Sequence, residues 1–428
     1  MSLLEVSGLN ISYDGQSVVD NLSFSLDAGE SLGLIGESGA GKTQTALAIM
    51  GLLPDHAKIS GSVRFGDQEM VGANERQLDK LRAQRISIIF QDPLQALNPY
   101  VRIGKQLRRI LTTHGLASQQ QADARVIAML EAVGLPDPAR QAHSFSHQLS
   151  GGMRQRVMIA AALIAEPELL IADEPTTALD VTVQAQILEL LAALRRDTAL
   201  LLITHDLGIV AGHCERMLVL EGGRTVESGA TRDLFARPRS GHTRSLLAAV
   251  PRLDAAEIPA PVAGPDMLSI KGLCVSHRES RNRRLRAVNG VEIAAKSGET
   301  LAIVGESGSG KSSLVRSILG LLPADSGTIV LDGSTLNPDV AKRAQSLRRD
   351  LQLVFQDPIG SLNPQMSVLE IVAEPLRVHA PSDTSRQREA RVSNMLGELG
   401  LGEELLGRYP HELSGGQAQR VAIARALI

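Results

Sequence analysis

Two stretches of this 428-residue chain are built to hold phosphate. Gly36-Glu37-Ser38-Gly39-Ala40-Gly41-Lys42-Thr43 and Gly305-Glu306-Ser307-Gly308-Ser309-Gly310-Lys311-Ser312 both fit G-x-x-x-x-G-K-[ST]. Each follows an apolar run ("SLGLI", "TLAIV") and opens a helical one, the context such a loop requires. Glycines let the backbone wrap a phosphate chain, and its N–H groups with the helix N-terminus carry the charge. Lys42 and Lys311 would reach the β- and γ-phosphates, and the hydroxyls of Thr43 and Ser312 would ligate Mg²⁺.

A third stretch supplies carboxylates. "LLIADEP" is an apolar run ending in Asp173 and Glu174. Strand-end carboxylates beside a phosphate loop suit Mg²⁺ and the activation of an attacking water. Asp173 takes the metal role and Glu174 the base role. His205 ends another apolar run, "ALLLITHD", and Gln91 ends "IIFQ"; taken singly, each reads equally well as a structural residue.

The elements that position these residues recur along the chain. "IIFQDPLQALNP" returns as "LVFQDPIGSLNP", and "HSFSHQLSGGMRQRV" as "GRYPHELSGGQAQRV", in the same order as the loops. The period is that of a whole domain, not of a solenoid repeat. The expected division is a first domain at residues 1–253, with a C-terminal extension from 231, a Pro- and Ala-rich linker at 254–266, and a second domain at 267–428. Short apolar runs alternate with helical stretches, which predicts a mainly parallel sheet flanked by helices in each copy.

Composition narrows the classes. Hydrophobic residues make up 43% of the chain and charged ones 21%, with a net charge of −3, as expected of a globular protein with no global attraction to nucleic acid or anionic membrane. No apolar run approaches the length of a bilayer span, and "MSLLEVSGLN" lacks the basic and apolar regions of a signal peptide. Two distant cysteines supply neither a disulfide framework nor a zinc site. A cytosolic location is the expectation. The five arginines within residues 278–286 read as a solvated hairpin loop.

The ordered set of Tyr13, phosphate loop, Gln91, "LSGGMRQR", "LLIADEP", "TALD" and His205 resembles the nucleotide-binding domain of ABC transporters, twice over. The fold it implies is α/β, two tandem P-loop domains each with a helical subdomain, the second incomplete. It also implies roles. Tyr13 stacks on adenine. Gln91, and Gln356 in the second copy, touch Mg²⁺ and the attacking water and signal to a membrane subunit. Ser150, Gly151 and Gly152, like Ser414, Gly415 and Gly416, close over the γ-phosphate of ATP held by the other domain. Asp180 communicates across the dimer and His205 contacts the γ-phosphate. His277 stands where Tyr13 stands in the first copy, and Met153 and Ala418 replace more usual polar signature residues.

"FQDPxxxLNP" and the "RPRSGHTRSLLAAVP" tail resemble dipeptide and oligopeptide importers, and the fused arrangement resembles glutathione and microcin C-type peptide importer subunits. That resemblance implies an ATPase peripheral to the cytoplasmic face of the membrane. Its partners would be two integral membrane permease subunits and an extracytoplasmic solute-binding protein. A tandem ABC ATPase acting on ribosomes is the alternative. It would favour a charged helical linker and a basic surface, and this chain has neither.

The second copy contains no counterpart of Asp173, Glu174, "TALD" or His205. In copy one Asp173 lies 23 residues after Ser150, and the same step from Ser414 passes Ile428. The expectation is a truncated form of a longer protein, whose downstream DNA encodes an apolar strand ending in Asp-Glu. Without that strand, "TLAIVG" would have bare hydrogen-bonding edges.

Overall fold

The computed structural model describes residues 2–428 apart from Ser38, residues 177–179, Arg196, residues 251–263 and 279–283, Ser307, Asp339 and Ala344. The expected phosphate-loop residues Ser38 and Ser307 therefore lie outside the described residues. So do most of the linker, most of the arginine-rich loop and the first three residues of "TALD". The chain divides into two compact units, Met1–Glu257 and Ile258–Ile428.

The first unit carries ten strands: β1 (Ser2–Tyr13), β2 (Gln16–Asp27), β3 (Ser31–Gly36), β4 (Lys58–Phe65), β5 (Gln68–Glu69), β6 (Ile86–Ile89), β7 (Leu169–Asp173), β8 (Ala199–Thr204), β9 (Arg216–Glu221) and β10 (Arg224–Ala230). They form an antiparallel sheet in the order β2-β1-β4-β5 and a six-stranded sheet in the order β10-β9-β3-β8-β7-β6. The second sheet is parallel except for the hairpin partner β10. Its central strands are buried on both faces, so their sequences run apolar without alternation. Leu200 and Leu202 pack into the core on one face and Leu201 and Ile203 into the core on the other. The phosphate loop joins the end of β3 to helix Lys42–Ile49. Helices Ile103–Thr113, Gln119–Ala132, Pro138–Ala142 and Gly151–Leu163 form the helical subdomain.

The second unit repeats the antiparallel sheet: β11 (Asp266–Arg278), β12 (Arg284–Lys296), β13 (Ser326–Leu331) and β14 (Ser334–Thr335) pair in the order β12-β11-β13-β14. It also repeats the helices, as Val368–His379, Ser385–Glu398 and Gly415–Leu427, which enclose their own apolar core. The parallel sheet expected of each copy forms only in the first. Residues 301–306 make no ladder, and Leu301, Ile303 and Val304 are 43%, 39% and 88% exposed. "LVFQ" (353–356) is likewise not a strand, with Val354 and Phe355 exposed. The physical reason is the partner set. In the first unit β3 bonds to β8 and β9, and β6 bonds to β7, and the 428 residues hold no second copy of those partners.

Candidate functional site

The first phosphate loop is shaped by its glycines. Gly39 and Gly41 take φ of +83° and +87°, a region open to glycine at no steric cost. At Gly41 a Cβ would lie 2.6 Å from the Val18 carbonyl oxygen, so no other residue fits. Lys42 is 6% exposed, and its Nζ donates to the carbonyls of Gly36 and Glu37, both at 2.8 Å. Those bonds tie the ammonium to the loop from which it meets phosphate. Burial lowers the Lys42 pKa, against the pull of Glu174 and Asp173.

β7, one strand beyond β8 from β3, delivers the carboxylates. Asp173 is its last residue and is 2% exposed. Its Oδ1 is buried with no hydrogen-bond partner. Burial and the Glu174 charge push its pKa up, opposed by a hydrogen bond from Thr43 and by the Lys42 charge. A buried carboxylate oxygen left without a donor and tied through its group to a hydroxyl is the donor set of a hard cation. The Thr43 hydroxyl and the Asp173 carboxylate thus present oxygen donors of the kind that suits Mg²⁺. Among the described residues no cluster of three His, Cys, Asp or Glu side chains could hold a metal by itself.

Glu174 follows in the left-handed region, at φ +45°. Such strain in a non-glycine residue costs on the order of 1–3 kcal/mol and persists where the surroundings hold it. Here three bonds do. The Glu174 amide donates to the Ile203 carbonyl of β8 at 2.9 Å. Gln91 Nε2 donates to Glu174 Oε2 at 2.9 Å, and His205 Nδ1 pairs with Glu174 Oε1 at 3.0 Å. Three residues picked singly from the sequence, each at the end of an apolar run, thus form one polar group around a carboxylate.

The remaining expected residues distribute as follows. Tyr13 ends β1, and its hydroxyl donates to Gln44 Oε1 at 2.5 Å. Its ring centroid lies 5.4 Å from that of His56. Ser150 caps helix Gly151–Leu163, its Oγ accepting from the Met153 amide at 3.3 Å. Gly151 and Gly152 form the first turn, where a Cβ on Gly152 would meet Val183 at 3.3 Å. Asp180 Oδ1 accepts from the Val183 amide at 3.0 Å.

In the second unit Lys311 Nζ donates to Gly305 and Glu306 carbonyls, both at 2.7 Å. Gly308 and Gly310 take φ of +83° and +98°. His277 Nε2 bonds Ser313 Oγ at 2.7 Å, as Tyr13 bonds Gln44 at the matching position. Ser312 and Gln356 are exposed. Ser414 caps Gly415–Leu427 with its Oγ on the Gln417 amide at 3.3 Å, and Gly416 sits in that first turn beside Gly415.

Sequence reasoning missed three contributors. Gln44 and Ser313 tether the two aromatic positions to the phosphate-loop helices. Gln155, buried in the signature helix, donates through Nε2 to the Pro175 carbonyl just after the carboxylates. Gln155 stands between Arg154 and Arg156, and no feature of the sequence sets it apart.

The ABC transporter family matches residues 19–177 and 288–428. The chain is 42% identical to an uncharacterized ABC transporter ATP-binding protein, YejF, of Escherichia coli K12, over all of this chain and 83% of that protein. It is 43% identical to the peptidoglycan transport ATP-binding protein YejF of Agrobacterium fabrum, over all of this chain and 80% of that one. It is 40% identical to the glutathione import ATP-binding protein GsiA of Pectobacterium atrosepticum, over 99% of this chain and 75% of that one.

Proposed function

This chain belongs to the ABC transporter family and is an ATPase, and from that premise we propose that it is the motor subunit of an importer for peptides or peptide-like solutes. The observation that carries the catalytic part is the Gln91–Glu174–His205 group beside Lys42, Thr43 and Asp173.

In this reading Tyr13 stacks on adenine and residues 36–43 wrap the phosphates. Thr43, Asp173 and Gln91 would hold Mg²⁺, which would supply positive charge against the negative charge developing on the phosphates. Glu174 orients a water and accepts its proton. The water oxygen attacks the γ-phosphorus, the bond to the β–γ bridging oxygen breaks, and ADP and phosphate leave. The Gln91 amide fixes one carboxylate oxygen of Glu174. His205 pairs through Nδ1 with the other and faces the γ-phosphate. Lys42, its charge facing the leaving diphosphate, stabilises the spread charge of the transition state.

The signature residues Ser414, Gly415 and Gly416 complete this site from the other half, with the halves paired head to tail, and Ser150, Gly151 and Gly152 do the same for Lys311 and Ser312. ATP closes the pair and hydrolysis reopens it, a ligand-shifted equilibrium passed to two integral membrane subunits. The chain works at the cytoplasmic face, with an extracytoplasmic solute-binding protein delivering cargo. No helix among the described residues is long and apolar enough to cross a membrane.

The test is co-expression with the two membrane proteins of its transport system, purification, and reconstitution into proteoliposomes. ATP-dependent uptake of a labelled peptide mixture is expected, together with loss of hydrolysis at the Lys42 site in Ser414→Arg. Co-sedimentation with ribosomes and no recovery with the membrane proteins would overturn the reading.

A further inference from the structure

The backbone that carries Glu174 is strained from two directions. Its φ of +45° is costly for a residue with a side chain. The proline after it favours extended backbone at the preceding residue, and Glu174 is held outside that range. The chain must therefore be fixed on both sides. On the N-terminal side the Glu174 amide donates to the Ile203 carbonyl of β8 at 2.9 Å. On the C-terminal side the choice is narrow. Pro175 has no N–H, so its carbonyl is its only backbone hydrogen-bonding group.

Gln155 takes that carbonyl. Its Nε2 donates to the Pro175 oxygen, and both residues are buried, Gln155 to 3% exposure. A primary amide is costly to bury unless it is bonded, which favours the side chain resting on this carbonyl. Gln155 is itself held by its helix, Gly151–Leu163. Val157, Met158 and Ile159 bury the next turn in the core, and Arg156 Nη1 donates to the Val133 carbonyl at 2.6 Å. Two adjacent side chains thus tie this helix to two places, Arg156 to the helical subdomain and Gln155 to the segment behind the carboxylates. The second copy keeps one tie without the other. Arg420 Nη1 reaches the Leu399 carbonyl at 3.4 Å. Gln419, five residues after Ser414 as Gln155 is after Ser150, is half-buried and makes no hydrogen bond among those the described residues show. The 428 residues hold no second Pro175 for it to meet.

We propose that Gln155 is a positioning residue for hydrolysis: by holding the Pro175 carbonyl it keeps the left-handed backbone that aims the Glu174 carboxylate at the attacking water. This rests on the reading of Glu174 as the group that orients that water. Without the brace, the backbone at Glu174 relaxes toward the extended range that proline favours, and the carboxylate leaves Gln91 and His205. Placement of a reacting group is worth large factors in rate. Nucleotide binding is made by the phosphate loop, on the other side of β8, and does not depend on the brace. Loss of Gln155 therefore acts on turnover and spares affinity, the signature of an interaction that matters in the transition state alone.

The experiment measures ATP hydrolysis and ATP binding by the full chain. Gln155→Met keeps the length and volume of the side chain and removes the donor. It should lower kcat about tenfold while KM and the Kd for ATP stay within about twofold. Gln155→Glu, which cannot donate when ionised, is the second variant and should show the same split; circular dichroism and ATP binding report folding in both. Gln419→Met, the matched change where no partner exists, should leave kcat within about twofold. A double-mutant cycle then shows whether Gln155 acts through the carboxylate. Gln155→Met should add no further loss in a Glu174→Gln background, because there is no longer a base to aim. Unchanged kcat in Gln155→Met and Gln155→Glu, an equal loss in Gln419→Met, or losses that multiply in the double variant would each overturn the brace while leaving Glu174 in its role. Near-normal hydrolysis by Glu174→Gln itself would overturn the reading of Glu174, and the brace with it.

Discussion

The two phosphate loops share their lysine and glycine contacts on different supports. In the first unit the loop hangs from β3, buried on both faces between β8 and β9. In the second it follows residues with no ladder and exposed apolar side chains. Yet Lys42 and Lys311 bond the same two carbonyls within 0.1 Å of each other, and a Cβ at Gly41 or at Gly310 would strike a backbone oxygen of the preceding hairpin. The loop is encoded locally, by glycine, lysine and the close hairpin, while the chemistry is encoded by the sheet. Asp173 and Glu174 exist as a pair only because β7 ends beside β8 and the Ile203 carbonyl holds the Glu174 amide.

The largest expected effect breaks that asymmetry directly. Glu174→Gln leaves Lys42 and the loop untouched but replaces one carboxylate oxygen by an NH₂ that can no longer accept from His205 or take a proton. ATP binding should persist, and turnover should fall on the order of 10²-fold or more. Steady-state hydrolysis above a tenth of the unaltered rate would mean that the second loop hydrolyses ATP by a route absent from this comparison.

What the sequence revealed follows the same division. The phosphate loops and the strand-end position of Asp173 rest on short-range patterns, and both are visible in a row of letters. The alternation of apolar runs and helical stretches predicted the parallel sheet and gave no sign of the antiparallel one beside it. Hidden were features that depend on which strands are present to pair and on what distant residues meet. The open ladder at 301–306, the left-handed backbone of Glu174, the Gln155 brace on Pro175 and the assembly of Gln91 and His205 on one carboxylate are of this kind. Tyr13 and His277 illustrate the boundary: their matching positions were legible, and their shared tether to the residue two after the loop lysine was not.

A second effect, smaller and opposite in sign for stability and function, concerns Asp173. Burial raises its pKa. A carboxyl with a raised folded-state pKa favours folding while protonated and loses that contribution as pH rises through the raised value. At neutral pH the charged, half-bonded Asp173 is then a net cost to the nucleotide-free protein. Asp173→Asn should raise the stability of the first unit by on the order of 1 kcal/mol, seen as a melting temperature higher by about 2–4 °C. It should also flatten the decline in stability as pH rises above the ordinary carboxylate range, while abolishing Mg²⁺-dependent hydrolysis. A lower melting temperature without nucleotide would show that Thr43 and Lys42 compensate the buried charge fully.

The smallest effect separates two uses of one position. At the third residue of the signature helix the first copy has Met153 and the second Gln417. Gln417 Oε1 accepts from the Ser414 amide at 2.9 Å, closing a reciprocal cap. Met153 cannot, and packs instead against the apolar core between sheet and helices. Gln417→Met should therefore cost about 0.5–1 kcal/mol, the worth of a lost capping bond with no core waiting for the new side chain. Met153→Gln gains a similar bond and loses apolar burial, two terms of comparable size and opposite sign. Its net effect should stay within about 0.5 kcal/mol. Urea midpoints for the two variants test the pair. If both cost the same, the position serves packing in both copies, and the contrast between a helix end fixed by hydrogen bonds and one fixed by its core does not hold.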